Sequence, residues 1–372
     1  MVSTLAPVRI GVIGGGWRAD YYMRVAQQVS ASFTVGGVLV RSSTTAARIA
    51  AVWALPAVTD LRSFLRLGPF DYVVLALPSE AAGHYLLDLV AANIPVLMET
   101  PPARDLATLN AQYRSVGGAP IQVAEQYQFQ AHHAARMSVA RSGFLGEVHT
   151  AYVSATHDYH AMALIRQGLM AGFSQVAITG RNIVDRVQSP RGRDDWRDTM
   201  VESQLDRVFA WLDFENGGLG IYDFLDDQYV SPIRRRTLKL SGPKGELTND
   251  TGAYVIELGR AIPIHLHREA TGLDGDLEGF FLRRIVDGQH VYWENEYPGA
   301  RLNDDELAVA RVMGRMAEYV RSGAQFYSLA DGSEDRYLGL LIAQAVKSDR
   351  TLRSEPQAWS NATSVFGSNP VI

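Results

Sequence analysis

Cysteine is absent from this chain of 372 residues, which removes disulfides, thiolate nucleophiles and sulfur-ligated metals together. Lysine is almost absent: Lys239, Lys244 and Lys347 are the whole inventory, and nearly all other positive charge is arginine. Long apolar runs are missing too. Stretches such as Tyr72 to Pro78 fall far short of the roughly 18 residues that span a bilayer, so no membrane partner is expected. No basic cluster leads into an apolar core at Met1 to Pro7, so no secretory signal is expected and a cytoplasmic protein is the default. There is no excess of positive charge, with 35 basic against 40 acidic residues and a net charge of −5, so no nucleic-acid surface is expected. What remains is a globular composition, 47% hydrophobic and 20% charged, with enough length for two domains that each bury a core.

The first third alternates short apolar strands with helical stretches. Val8 to Ile13 reads as a buried strand, and Tyr21, Tyr22, Val25, Ala26 and Val29 then recur at helical spacing. Phe33 to Val40, Tyr72 to Leu77, Ile94 to Met98 and Ile121 to Ala124 read as further strands, with a helix over His84 to Ala92. Strand and helix in alternation give a parallel sheet covered on both faces. After Gln126 the rhythm changes. A helix over His132 to Arg141 is followed by longer strands, Val148 to Ser154, Val208 to Phe214, Gly218 to Phe224 and Arg236 to Leu240, with a hairpin turn at Asn216-Gly217. Strands without intervening helices imply an antiparallel sheet. Gln188 to Asp198 reads as a polar loop, and Asp304 to Arg321 and Glu334 to Lys347 as helices. The expected fold class is therefore an α/β Rossmann domain, residues 1–125, followed by an α+β domain, residues 126–372, with a mostly antiparallel sheet.

Gly14-Gly15-Gly16-Trp17-Arg18-Ala19 follows the first strand and opens the first helix. Read from Gly14 it is G-x-G-x-x-A: one glycine for a tight turn, one for close approach of a pyrophosphate, and a small residue where helix packs on strand. The helix N terminus supplies free N–H groups and partial positive charge, so a dinucleotide is the expected ligand. No carboxylate stands between Asp20 and Asp60 to bind ribose hydroxyls. Arg41 and Ser42 follow the second strand instead, a pair suited to a 2′-phosphate, so NADP is favoured and NAD remains possible.

Several motifs in order resemble the glucose-fructose oxidoreductase, inositol dehydrogenase and rhizopine catabolism (Gfo/Idh/MocA) family. They are the Gly14 to Ala19 turn, the strand end Ala76-Leu77-Pro78-Ser79, Glu99-Thr100-Pro101, Gly143-Phe144-Leu145-Gly146-Glu147-Val148 and the closing helix around Glu334 to Lys347. The resemblance implies a Rossmann domain and an α+β domain with a large open sheet. It also implies hydride transfer between a nicotinamide and a sugar- or cyclitol-like carbonyl, alcohol or imine, and a homodimer or homotetramer formed through the outer face of that sheet. Leu77, Pro78, Glu99, Thr100, Pro101 and Gln126 are then expected at the cofactor. The family motif at 99–101 is Glu-Lys-Pro, and its lysine relays the proton; here Thr100 stands in its place and does not titrate usefully.

The second family motif is Asp-x-x-x-His. His160 matches its histidine, Thr156 stands where the aspartate would be, and His157 and Asp158 have appeared between them. His160 is the expected acid/base, with Tyr127 and Tyr159 as other candidate proton donors. His157, Asp158, Tyr222 and Asp223 are the expected substrate-binding residues. His157 and His160 have a spacing that could hold a metal, but no third ligand matches, so no metal is expected. Two alternatives differ in class: a redox-neutral, glycosidase-type enzyme with tightly held nucleotide, and a non-catalytic nucleotide or sugar sensor.

Overall fold

The computed structural model describes residues 6–189, 201–274 and 279–367. The first βα repeat is built as its apolar spacing requires. β1 (Val8–Ile13) is buried along nearly its whole length, and α1 (Trp17–Gln28) buries Ala19, Tyr22, Met23, Val25 and Ala26 on one face. β2 (Phe33–Leu39), α2 (Ser43–Trp53), β3 (Ala57–Val58), α3 (Leu61–Arg66), β4 (Tyr72–Leu75), α4 (Ser79–Ala91), β5 (Val96–Met98), α5 (Leu106–Val116) and β6 (Ile121–Val123) continue the pattern. The six strands pair in parallel in the order β3-β2-β1-β4-β5-β6. Strand order reverses between β1 and β4, and such a switch point opens the crevice in which doubly wound sheets bind ligands.

The later chain adds α6 (Ala131–Arg141), β7 (Thr150–Ser154), α7 (Asp158–Leu169), β8 (Val176–Ser189), β9 (Val201–Phe214), β10 (Leu219–Leu225), β11 (Thr237–Gly242), β12 (Gly245–Thr248), β13 (Thr251–Val255) and β14 (Ala261–His265). After these come β15 (His267–Ala270), β16 (Leu282–Asp287), β17 (His290–Glu294), α8 (Asp304–Ser322), α9 (Leu329–Ser348) and β18 (Leu352–Arg353). A nine-stranded sheet has the order β14-β13-β12-β11-β7-β10-β9-β8-β18. It is antiparallel except between β7 and β10. β15, β16 and β17 make a third, smaller sheet. The expected fold class is what the chain adopts.

Some boundaries differ from the sequence pattern. β9 starts at Val201 rather than Val208, since it pairs with β8 from Val176↔Phe214 to Ser189↔Val201. Of the expected loop, Gln188 and Ser189 belong to β8, while 190–198 lie outside the described residues. The hairpin turn after β9 forms as expected, with Gly217 at φ 87° and the Phe214 N–H bonded to the Gly218 carbonyl at 2.9 Å. A single cut at residue 125 is not how the compact units divide. One comprises Met1–Ala131, Arg268–Arg284 and Glu294–Ser333; the other comprises His132–His267, Ile285–Trp293 and Glu334–Ile372.

The first unit takes α8 for a physical reason. Tyr72 on β4 donates its hydroxyl to the Met313 carbonyl at 3.1 Å, and Arg24 on α1 pairs with Glu306 at 2.7 Å. Glu306 also completes a capping box with Asn303 that starts the helix. These partners lie far apart in sequence, so nothing in local periodicity announces them. Among the described residues no helix is long and apolar enough to cross a membrane.

Candidate active site

The glycine turn in the first unit has three different local reasons for its three glycines. Gly14 has φ 139°, and a Cβ there would stand 2.3 Å from the Ala76 carbonyl oxygen. A Cβ on Gly15 would meet Thr45 Cγ2 at 2.6 Å. A Cβ on Gly16 would meet nothing within 4 Å. Gly14 and Gly15 are thus required by the protein itself, whereas the space over Gly16 is open. Gly16 is also the N-cap of α1 and supplies no side chain, so the first N–H groups of the helix face that space. An anionic pyrophosphate fits there. Asp20 in the first turn would oppose it, but Arg48 reaches Asp20 at 3.4 Å and the Gly15 carbonyl at 2.8 Å. Trp53 Nε1 donates to Asp20 as well, at 3.1 Å.

At the end of β2, Arg41 is exposed and makes no hydrogen bond or ion pair among the described residues. Ser42 is partly committed: its Oγ accepts the Thr45 N–H at 3.2 Å and caps α2. No acidic residue stands in the first turn of α2. Pro78 is the N-cap of α4, with Leu77 half-buried before it. The Thr100–Pro101 peptide bond is cis, and both residues are half-buried.

Arg18 organises the rest. Its Nε donates to Glu99 at 2.7 Å and a terminal nitrogen donates to Gln126, while the Tyr22 hydroxyl donates to the same Glu99 oxygen. The guanidinium carbon lies 5.6–5.9 Å from the ring centroids of Trp17, Tyr21 and Tyr22. Burial works against the cation, but Glu99 and Tyr22 outweigh it and hold the guanidinium charged. Burial first, then Glu99, pushes the Tyr22 phenol well above its ordinary value. Arg18, Glu99 and Gln126, expected at the cofactor from three separate stretches, are therefore in direct contact. Trp17 beside them is 60% exposed. Tyr127 follows in a short helical turn, its N–H bonded to Glu125 Oε1 at 2.9 Å.

In the second unit, His157, the N-cap of α7, packs ring to ring with Tyr159 and His160 of its first turn. Tyr159 and His160 have centroids 4.4 Å apart, and His157 lies 5.4 Å from each of them. Tyr229 joins them: its hydroxyl accepts the His157 N–H at 3.0 Å and lies 2.5 Å from His157 Nδ1 and 2.7 Å from Thr156 Oγ1. Thr156 itself is fully buried, a structural partner of Tyr229. Tyr222 also points to α7, since the Asp158 N–H donates to its hydroxyl at 3.2 Å, and burial raises its phenol pKa. Burial likewise raises the Asp158 carboxyl above its ordinary value, against the pull of Arg336 and His160.

Asp223, expected with this group, is not in it. Successive residues of a strand alternate faces, so Asp223 projects away from α7. There it accepts two bonds from Arg207, both at 2.8 Å, and one from Tyr152 at 2.7 Å. Burial, with Asp223 next, pushes the Tyr152 phenol up to about 12. Sequence reasoning missed Arg48, Tyr22 and Arg336. Each lies on a helix whose spacing marks its apolar face and leaves its polar contacts unmarked. Among the described residues no group of three or more metal-ligating side chains is found.

Residues 8–124 match the model of an oxidoreductase family with an NAD-binding Rossmann fold, Gfo/Idh/MocA. An inositol 2-dehydrogenase of Pseudarthrobacter chlorophenolicus is 30% identical over 152 residues, 40% of this chain and 44% of that one. The chain thus aligns with less than half of that relative. An inositol 2-dehydrogenase of Arthrobacter sp. strain FB24 is 28% identical over 272 residues, 68% of this chain and 79% of that one. The crystal structure of a myo-inositol dehydrogenase from Corynebacterium glutamicum superposes with TM-score 0.63 at 16% identity, covering 94% of this chain and 99% of that one.

The glycine geometry separates folding from binding. Gly14→Ala should lower the melting temperature, because backbone and strand both block the methyl. Gly16→Ala should leave melting near wild type yet weaken nucleotide binding by about tenfold or more, since its methyl enters only the open space. Differential scanning calorimetry with a nucleotide titration tests this, and unchanged nucleotide affinity in Gly16→Ala contradicts it.

Proposed function

We propose that the chain belongs to the Gfo/Idh/MocA oxidoreductase family, whose model its residues 8–124 match, and that it is an NADP-preferring oxidoreductase acting on a small hydroxylated substrate, sugar- or cyclitol-like, as carbonyl, alcohol or imine. The observation that carries the reading is the bare N terminus of α1 at Gly16, open to an anion in a Rossmann sheet. When bound, the nicotinamide nucleotide supplies the hydride or accepts it. The protein's own residues do the rest. Gly14–Gly16 and the first N–H groups of α1 bind the pyrophosphate, and Arg41 pairs with the 2′-phosphate. Arg18, Glu99 and Gln126 hold the turn against the end of β5. His160 gives a proton to the substrate oxygen on reduction and removes it on oxidation, because Thr100 cannot. His157, Tyr159, Tyr222 and Tyr229 offer hydroxyls and ring nitrogens to a polyol.

Thr100 is also the observation that favours a second reading, a nucleotide or sugar sensor without turnover. We further propose a homodimer or homotetramer formed through the outer face of the nine-stranded sheet. Its support is exposed apolar surface there: Trp211 is 43% and Ile183 45% exposed. Trp211→Asp should shift the mass measured by light scattering toward the monomer, and an unchanged assembly would remove this face from consideration.

A charge-assisted contact at Arg41 contributes on the order of 1.5–3 kcal/mol, roughly ten- to hundredfold in affinity for NADP over NAD. Calorimetric titration of both nucleotides should show that preference in the wild type and its loss in Arg41→Ala. Equal binding by the wild type would sink the NADP assignment. For the proton, His160→Ala should lose about 10²–10⁴-fold in turnover of a polyol substrate with nucleotide affinity nearly unchanged. Near-normal turnover in that variant would move the proton to Tyr159 or Tyr127, and no turnover by the wild type on a broad polyol panel would favour the sensor.

A further inference from the structure

Asp158, the first residue of α7, has φ 45°, a left-handed backbone that costs a non-glycine residue conformational energy. Aspartate tolerates this better than most residues, but an observed outlier of this kind asks for a reason. Its carboxylate is held from α9, 178 residues later in sequence, where Arg336 donates to Oδ2. The other oxygen, Oδ1, is buried and has no hydrogen-bond partner among the described residues. It fills the space beside Gly339, where a Cβ would fall 1.5 Å from it. A glycine inside a helix destabilises it relative to alanine. Left-handed aspartate and mid-helix glycine are two independent local costs, and both serve to seat one carboxylate.

That carboxylate interacts electrostatically with His160, and its N–H is tied to Tyr222. Among the described residues, the charged and titratable groups facing the His160 ring include His157, Asp158 and Tyr159 from α7, Tyr222 from β10, Tyr229 behind His157, and Arg336 from α9 through Asp158. We propose that Arg336 and Gly339 are positioning residues: through Asp158 they fix the first turn of α7 and the negative charge that His160 experiences. The catalytic meaning of this clamp rests on the reading of His160 as the acid/base, but the clamp itself can be tested without a substrate.

The experiment is a pH titration of the histidine rings of the whole chain by NMR, with the His160 signal assigned by its loss in His160→Gln. Asp158→Asn removes an opposite charge, so the His160 midpoint should fall. Gly339→Ala expels the same carboxylate and should produce a fall of similar size. The double variant should fall no further than Asp158→Asn alone, because both changes act through one group. Arg336→Met releases the carboxylate from its seat, so the His160 midpoint should depart from its wild-type value, and Arg336→Lys should restore it. Should Gly339→Ala fail to fold, the Arg336 pair and Asp158→Asn decide the matter. Variants of Arg336 and Gly339 that lower the melting temperature yet leave the His160 midpoint at its wild-type value would overturn the proposal. Expected midpoint shifts together with normal turnover in His160→Ala would uphold the clamp while refuting the acid/base role, so the two failures are distinguishable.

Discussion

The second unit depends on one buried ion pair. Arg166, near the end of α7, meets Asp335 of α9 at 2.6 Å, and the two side chains are 0% and 3% exposed. Neither charge can be solvated if its partner is lost, and stranding one in such surroundings typically costs about 3–5 kcal/mol. The guanidinium is further satisfied by the Gly172 carbonyl at 2.9 Å, and Phe173 and Phe366 each lie 5.4 Å from its carbon. The next residue of α9, Arg336, takes the opposite end of α7 through Asp158. Two neighbouring residues of one helix therefore hold both ends of another. The rings of His157, Tyr159 and His160 ride on the helix so held, and their mutual packing follows from it.

The first unit uses the same device on a smaller scale. Arg18, Tyr22, Glu99 and Gln126 bring the start of α1, the end of β5 and the end of β6 to one point. The C-terminal ends of parallel strands are where such sheets bind ligands, and this network ties them to the glycine turn and so fixes the geometry at that end of the sheet. Here Glu99 is partnered by an arginine and a tyrosine of α1, and the residue beside it is Thr100.

Thr100 and Thr156 stand at the two positions where the resemblance leads one to expect a charged residue, and their surroundings differ. Thr156 is buried and bonded to Tyr229, part of a neutral hydroxyl node. An acidic side chain stands two residues later at Asp158, where a left-handed backbone and a glycine on another helix make room for it. At Thr100 no lysine stands nearby in sequence; the nearest is Lys239.

Much of this was legible from the residues alone. Strand–turn–helix with glycines at 14 and 16 points to a Rossmann start, because Gly14 takes a backbone that side chains rarely adopt, φ 139°, and Gly16 leaves the helix N terminus bare. The change of rhythm after Gln126 carries the antiparallel sheet, and the absence of carboxylates near Arg41 was visible by inspection. Such signals are local, written within a few residues by the periods of helix and strand. Domain division, the capping box on α8, and the partners of Asp158 and Arg166 were not legible, because long-range ion pairs leave no periodic trace in a sequence. Tyr222 and Asp223 show the boundary between the two kinds of knowledge. Their adjacency says that they face opposite ways, but only the packing of α7 on one side of the sheet decided that Tyr222 belongs with the histidines and Asp223 with Arg207.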